Sequence, residues 1–134
     1  LPNYSTDMAR NTQTNSLMIA NFERLGVALC DKALEKDLKS TPQVAVGSRL
    51  IYNFDVPQTA VDAAGFADRF AVLHRKFLGY PAKLAPTDRT TRFFALYNET
   101  IKNHNPTGSR FTAVEAGWAT VCQGLIRHPE FQLY

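Results

Sequence analysis

Few residues in this sequence can perform chemistry, and none of them lies in a complete motif. The 134 residues include two cysteines and three histidines, with no short-range pairs of the kind that bind structural zinc. Neither Cys30 nor Cys122 has a second cysteine near enough for a Cys-x-x-Cys-His haem attachment site. A glycine-rich phosphate loop and a Gly-x-Ser-x-Gly nucleophile elbow are also missing. We therefore expect no enzyme activity, no metal and no cofactor.

Long apolar runs are missing as well. A helix that crosses a bilayer needs about 20 apolar residues, whereas stretches such as 25–30 are short and lie within amphipathic patterns. The sequence opens at Leu1, without the charged region and apolar region of a signal peptide. We expect no transmembrane span, and a mature or trimmed chain whose targeting segment, if it had one, has been removed. Association with a membrane complex stays open.

Charge is modest in total but unevenly spread. The formal net charge is +3, yet residues 69–92 carry six basic side chains against the single acid Asp88. These basic residues are Arg69, Arg75, Lys76, Lys83, Arg89 and Arg92. Such an excess suits phosphate, anionic lipid or an acidic partner, so an anion or nucleic-acid binder is one alternative. A solvated helix surface is the simpler interpretation, and we expect no nucleic-acid partner because no aromatic platform or known motif accompanies the charge.

Apolar residues at three- and four-residue spacing predict a first helix from about residue 15 to 38. Its apolar stripe is expected to consist of Met18, Phe22, Leu25, Leu29 and Ala33. The opposite side, which carries Lys32 and Lys36, is expected to face water. Before this helix, residues 1–12 form a polar arm that is either loose or laid against a partner.

Three further helices follow by the same spacing. The second is expected to begin near residue 59 and to end at Gly79, the third to be capped by Thr87, and the fourth to begin with a Thr112–Glu115 capping box. Residues 41–57 are expected to form an irregular, extended segment that packs over the helices. The sequence therefore predicts an all-α fold, a small irregular four-helix bundle in a single domain of residues 1–134.

The two cysteines each lie on the apolar side of a predicted helix. A disulfide between Cys30 and Cys122 would close a long loop, and an even cysteine count fits an oxidising compartment. Two unpaired buried thiols are the alternative, because cysteine also packs as a small apolar residue.

His74 is the one candidate for a cofactor ligand. It borders the apolar seam of the second helix and could hold haem or another tetrapyrrole between the second and fourth helices. A hydrogen-bonded histidine at the edge of the core is the simpler interpretation.

The C-terminal half contains three stretches that carry a resemblance: Phe70–Pro81, Leu96-Tyr97 and Trp118–Phe131. They resemble the helical modules of exported planctomycete- and myxobacteria-type proteins, which often accompany cytochrome c domains. In those modules a Leu-Gly-x-Pro turn precedes a helix, and a later helix ends in Leu-Leu-x-Ser-Pro-Glu-Phe; here His128 replaces the serine. The family's haem-bearing segment is absent from this sequence. The resemblance implies an exported chain, periplasmic or extracellular, and a module that works beside other proteins, and it supplies no catalytic residue.

Together these observations favour a non-catalytic accessory subunit or interaction module of a larger extracytoplasmic assembly, with other protein subunits as partners. Aromatic residues bury a large area at low entropic cost and are common at interfaces. We expect contact surface from Tyr4, Tyr52, Phe54, Tyr80 and Tyr134. A helical haem- or ligand-binding protein is the alternative.

Overall fold

The computed structural model describes residue 21 and residues 24–131 of the chain. It contains four α-helices, α1 (24–38), α2 (Ala63–Leu78), α3 (Arg89–Asn103) and α4 (Ala113–Arg127). Two short 3-10 turns, Val46–Ser48 and Ala82–Leu84, lie in the connections. No β-strand occurs in these described residues. The prediction of a small all-α bundle is confirmed, while the polar arm of residues 1–12 lies outside them.

The ends of α2 and α4 follow local signals in the sequence. At the end of α2, Gly79 adopts a left-handed conformation with φ of 83° and its N–H donates to the Arg75 carbonyl. At the start of α4, the Thr112 hydroxyl accepts from the Glu115 N–H at 3.2 Å, and the Glu115 carboxylate accepts from the Thr112 N–H at 2.9 Å. The glycine stop and the capping box are therefore confirmed.

The starts of α2 and α3 differ from the prediction. α2 begins at Ala63 rather than near residue 59, because the Asp62 carboxylate accepts from the Gly65 N–H at 2.8 Å and caps the helix there. The cap residue of α3 is Asp88, and its side chain makes no capping hydrogen bond. The prediction that Thr87 caps α3 is therefore wrong.

An aromatic core holds α2, α3 and α4 together around Trp118, which is fully buried. The Trp118 ring centroid lies 5.2 Å from that of Phe66 on α2, 5.0 Å from that of Tyr97 on α3 and 4.8 Å from that of Phe54. Glycine permits the close approach of α3 and α4, because a Cβ on Gly117 would lie 3.0 Å from the Tyr97 ring. These ring contacts explain why so many aromatic residues occur in a chain of this length.

A covalent bond fastens α1 to α4. The sulfur atoms of Cys30 and Cys122 lie 2.13 Å apart and their Cα atoms 5.9 Å apart, as in a disulfide. Both cysteines are fully buried. The two cysteines are therefore placed at disulfide distance, as the sequence predicts.

The segment after α1 is irregular, with the Val46–Ser48 turn inside it, and it packs over the helices as predicted. Its backbone is held by Asp37, whose buried carboxylate accepts from the N–H groups of Leu50, Ile51 and Tyr52 at 2.7, 3.0 and 2.9 Å. These bonds satisfy backbone donors that would otherwise have no partner in an irregular segment. They also turn the Tyr52 and Phe54 side chains into the core.

Candidate functional site

The side of α1 that faces away from the other helices carries two leucines and two lysines. Leu25 is 66% exposed and Leu29 is 50% exposed, and Lys32 and Lys36 are exposed further along the helix. Because these residues recur at spacings of three and four, they lie along one side of the helix. We call these four residues the α1 strip.

The exposure of the α1 strip corrects the predicted orientation of the first helix. The buried side of α1 instead carries Gly26, Cys30 and Asp37. A Cβ on Gly26 would lie 2.7 Å from the Ile126 Cγ2 atom, so α1 and α4 approach closely at this glycine. The prediction that Leu25 and Leu29 face the core is therefore wrong, whereas Ala33 is buried as expected. Met18 and Phe22 lie outside the described residues.

Both lysines of the α1 strip are free of ion pairs with any described residue, although other basic side chains nearby are paired. The Lys39 ammonium lies 2.9 Å from the Glu115 carboxylate, and the Arg110 guanidinium lies 2.9 Å from the Glu35 carboxylate. Lys32 and Lys36 therefore leave uncompensated positive charge on the surface of α1.

An open cleft of about 520 Å³ lies at the C-terminal end of α1. Its lining includes Lys39, His104, Arg110 and Phe111, together with the start of α4. The Arg110 guanidinium lies 5.2 Å from the centre of the Phe111 ring, and the buried Nε2 atom of His104 has no hydrogen-bond partner. The cleft therefore combines an aromatic wall with two basic groups, each of which is paired with a carboxylate.

A second polar cluster lies inside the bundle, around the fully buried His74. The His74 Nδ1 atom lies 2.8 Å from the Tyr80 carbonyl oxygen, and the Nε2 atom lies 3.2 Å from the Arg89 Nη1 atom. A carbonyl only accepts and a guanidinium only donates, so Nδ1 carries the proton and Nε2 accepts. Burial lowers the pKa of His74, the hydrogen bond to Tyr80 opposes that shift, and the charge of Arg89 adds to it. His74 is therefore neutral.

Arg89 links this histidine to the C-terminal end of the described chain. Its guanidinium donates to both carboxylate oxygens of Glu130, at 3.1 and 2.6 Å, and also to the Tyr80 hydroxyl at 2.8 Å. The Tyr80 hydroxyl donates to Glu130 as well. The hydrogen bonds from Arg89 hold the pKa of Glu130 at about 2, well below its usual value. We call His74, Tyr80, Arg89 and Glu130 the Arg89 cluster. It connects the segment after α4 to α2 and α3.

This geometry gives no support to haem ligation by His74. Both ring nitrogens are engaged, one by a backbone carbonyl and one by Arg89, so iron would have to displace one of these partners. Among residues 24–131, no group of three His, Cys, Asp or Glu side chains is arranged to hold a metal ion. The cluster instead satisfies its own buried polar groups, which is the arrangement of a structural network.

Of the aromatic residues predicted to form an interface, two are buried in the core and one is half-buried. Tyr52 is fully buried and its hydroxyl donates to the Cys30 carbonyl at 3.0 Å, and Phe54 is 7% exposed. The prediction that these two provide contact surface is therefore wrong, because both fill the core. Tyr80 is half-buried and bonded within the Arg89 cluster. Tyr4 and Tyr134 lie outside the described residues.

The basic region of residues 69–92 does not form one patch of free charge. Arg69 pairs with Asp55, Arg92 pairs with Asp88, and Arg89 is buried against Glu130. The Lys76 ammonium donates to the Leu50 carbonyl at 3.0 Å and to the Asn53 side chain. Only Arg75 and Lys83 remain exposed without a side-chain partner among the described residues. Three of the six basic side chains are therefore paired with carboxylates, while the charges of Arg75, Lys76 and Lys83 are not neutralised by any described residue.

The α1 strip was not predicted from the sequence because both sides of the first helix carry apolar residues. The signal that could have found it is the series of small residues Gly26, Cys30 and Ala33, which marks the side where another helix approaches closely.

None of the described helices has the length and apolar character needed to cross a membrane.

Comparison with known proteins identified no relatives. No family model, no curated protein and no solved structure matches this chain.

Proposed function

We propose that this chain is a non-catalytic accessory subunit or interaction module of a larger extracytoplasmic protein assembly. The observation that carries the proposal is the α1 strip. Single exposed leucines are ordinary on protein surfaces, but neighbouring exposed apolar side chains mark binding sites. Leu25 and Leu29 are such neighbours, and beside them lie two lysines that form no ion pair with any described residue.

Two further observations support the proposal. The Cys30–Cys122 disulfide is of the kind that persists in oxidising compartments outside the cytoplasm, and the resemblance of the C-terminal half to exported helical modules points the same way. The buried groups that could perform chemistry, His74 and Asp37, are occupied by hydrogen bonds that hold the fold together. A partner protein is therefore a better match to this chain than a substrate.

The test is native mass spectrometry of the chain isolated gently from its source, with an absorption scan of the same sample. We expect a stoichiometric complex with another protein and no visible absorption band. A monomer without a partner would contradict the proposal. A monomer with a bound mass and a Soret-type band would favour the haem-binding alternative instead, and His74 would then be the first residue to mutate.

A further inference from the structure

We infer that the partner presents an acidic amphipathic segment, which binds along the α1 strip with apolar residues on Leu25 and Leu29 and carboxylates on Lys32 and Lys36. This inference rests on the proposed function and adds the chemistry of the partner. It follows from the order of the side chains along α1, in which the leucines come first and the lysines second.

The apolar half of the strip supplies the anchoring area. Leu25 and Leu29 are four residues apart on a helix and so lie one above the other. Helical partners recognise such pairs with apolar side chains at the same spacing. Burial of the exposed parts of the two leucines is favourable at roughly 25 cal/mol per Å² of apolar surface.

The charged half of the strip indicates the sign of the charge that the partner carries. Lys32 and Lys36 have no ion-pair partner among the described residues, while the nearby acid Glu35 is already paired with Arg110. Asp31, the other acid on this stretch, is half-buried and makes no ion pair with either lysine within the described chain. A basic partner would meet repulsion here, and an acidic one would gain two ion pairs.

The dimensions of the strip set the length of the segment. From Leu25 to Lys36 the helix extends about 16 Å, which about 11 residues of a helical partner or about five extended residues would cover. Beyond Lys36, the cleft beside Lys39 and Arg110 offers further N–H donors, because each of these side chains spends only part of its donors on its ion pair. A carboxylate at the end of the bound segment would fit there.

The experiment measures binding of the full chain to a synthetic peptide in which leucine and glutamate recur at helical spacing, by calorimetry at low and high salt. We expect binding that weakens with salt, and that weakens roughly tenfold in the Lys32→Glu/Lys36→Glu variant, because two exposed ion pairs are replaced by two contacts between like charges. The matched control is Arg75→Glu/Lys83→Glu, which reverses two exposed, unpaired charges elsewhere and should leave the affinity unchanged. A peptide with lysine in place of glutamate should bind the Lys32→Glu/Lys36→Glu variant and not the original chain.

The apolar contact is tested separately by Leu25→Ser/Leu29→Ser. Because both side chains are at least half exposed, the variant should fold normally and lose most of the peptide binding. No binding of the acidic peptide up to about 1 mM, the range of a weak contact, would overturn the inference. So would equal loss of affinity in the control variant.

Other occupants of the strip would also show themselves. Self-association that Leu25→Ser/Leu29→Ser abolishes would assign the strip to a second copy of the chain and overturn the inference. Binding to phosphatidylglycerol vesicles without binding to the peptide would assign it to a membrane surface, with the same consequence. If the chain isolates with a partner protein that both double variants still bind, the proposed function stands and the α1 strip is not the site.

Discussion

Loss of the Asp37 carboxylate should lower the free energy of unfolding strongly, although the group is small. It is 1% exposed and accepts three backbone hydrogen bonds from residues 50–52. Asparagine has the same shape but can offer only one oxygen. Its amide NH2 group must therefore face either the Leu50 N–H or the N–H groups of Ile51 and Tyr52. On that side the amide N–H and the backbone N–H are both donors, and neither has an acceptor.

The magnitude follows from the number of bonds that each substitution removes. Asp37→Asn can keep the two bonds to Ile51 and Tyr52 by placing its amide group toward Leu50. One bond to a charged group is then lost, worth about 1.5–3 kcal/mol, and the remaining two are weaker because the acceptor is neutral. Asp37→Ala removes all three. We expect a loss of about 2 kcal/mol of unfolding free energy for Asp37→Asn and about 4 kcal/mol or more for Asp37→Ala.

The assay is urea unfolding followed by the fluorescence of the buried Trp118, with the disulfide intact. The control is Asp68→Asn, which removes an exposed carboxylate that makes no hydrogen bond or ion pair with any described residue and should change stability by less than about 0.5 kcal/mol. Amide hydrogen exchange at residues 50–52 should speed up in both Asp37 variants. If Asp37→Ala unfolds within about 1 kcal/mol of the original chain, the carboxylate is not what holds this segment.

Two other predictions concern the disulfide and the Arg89 cluster. Cys30→Ala/Cys122→Ala should lower the unfolding free energy by about 4–5 kcal/mol in the chain-entropy account, because the bond closes a sequence separation of 92 residues; equal urea midpoints for oxidised and reduced protein would contradict this. The pKa of Glu130 is lowered from 4.5 to about 2, so its contribution to stability is complete above about pH 4.5 and is lost as the pH falls toward 2. Glu130→Gln should therefore be destabilising near pH 7 and nearly neutral near pH 2, and a stability difference that stays constant with pH would refute it.

The sequence by itself determined the features that depend on residues within one helical turn. The Thr112–Glu115 capping box and the stop at Gly79 could be predicted because each involves only the backbone groups next to it. The apolar spacing likewise predicted four helices and an irregular segment after the first. The disulfide could be proposed because there are only two cysteines and each lies among apolar neighbours.

Only the tertiary structure decided which side of α1 is buried, and with it the candidate site. Leu25 and Leu29 fit a core stripe by spacing as well as Gly26 and Cys30 do, so periodicity alone could not choose between them. The choice depends on α4, about 90 residues away in sequence, where the disulfide and the close approach at Gly26 pull the small residues inward. The leucines are left outside because no other described helix packs against them, and the apolar spacing along one helix does not show which side a distant segment covers.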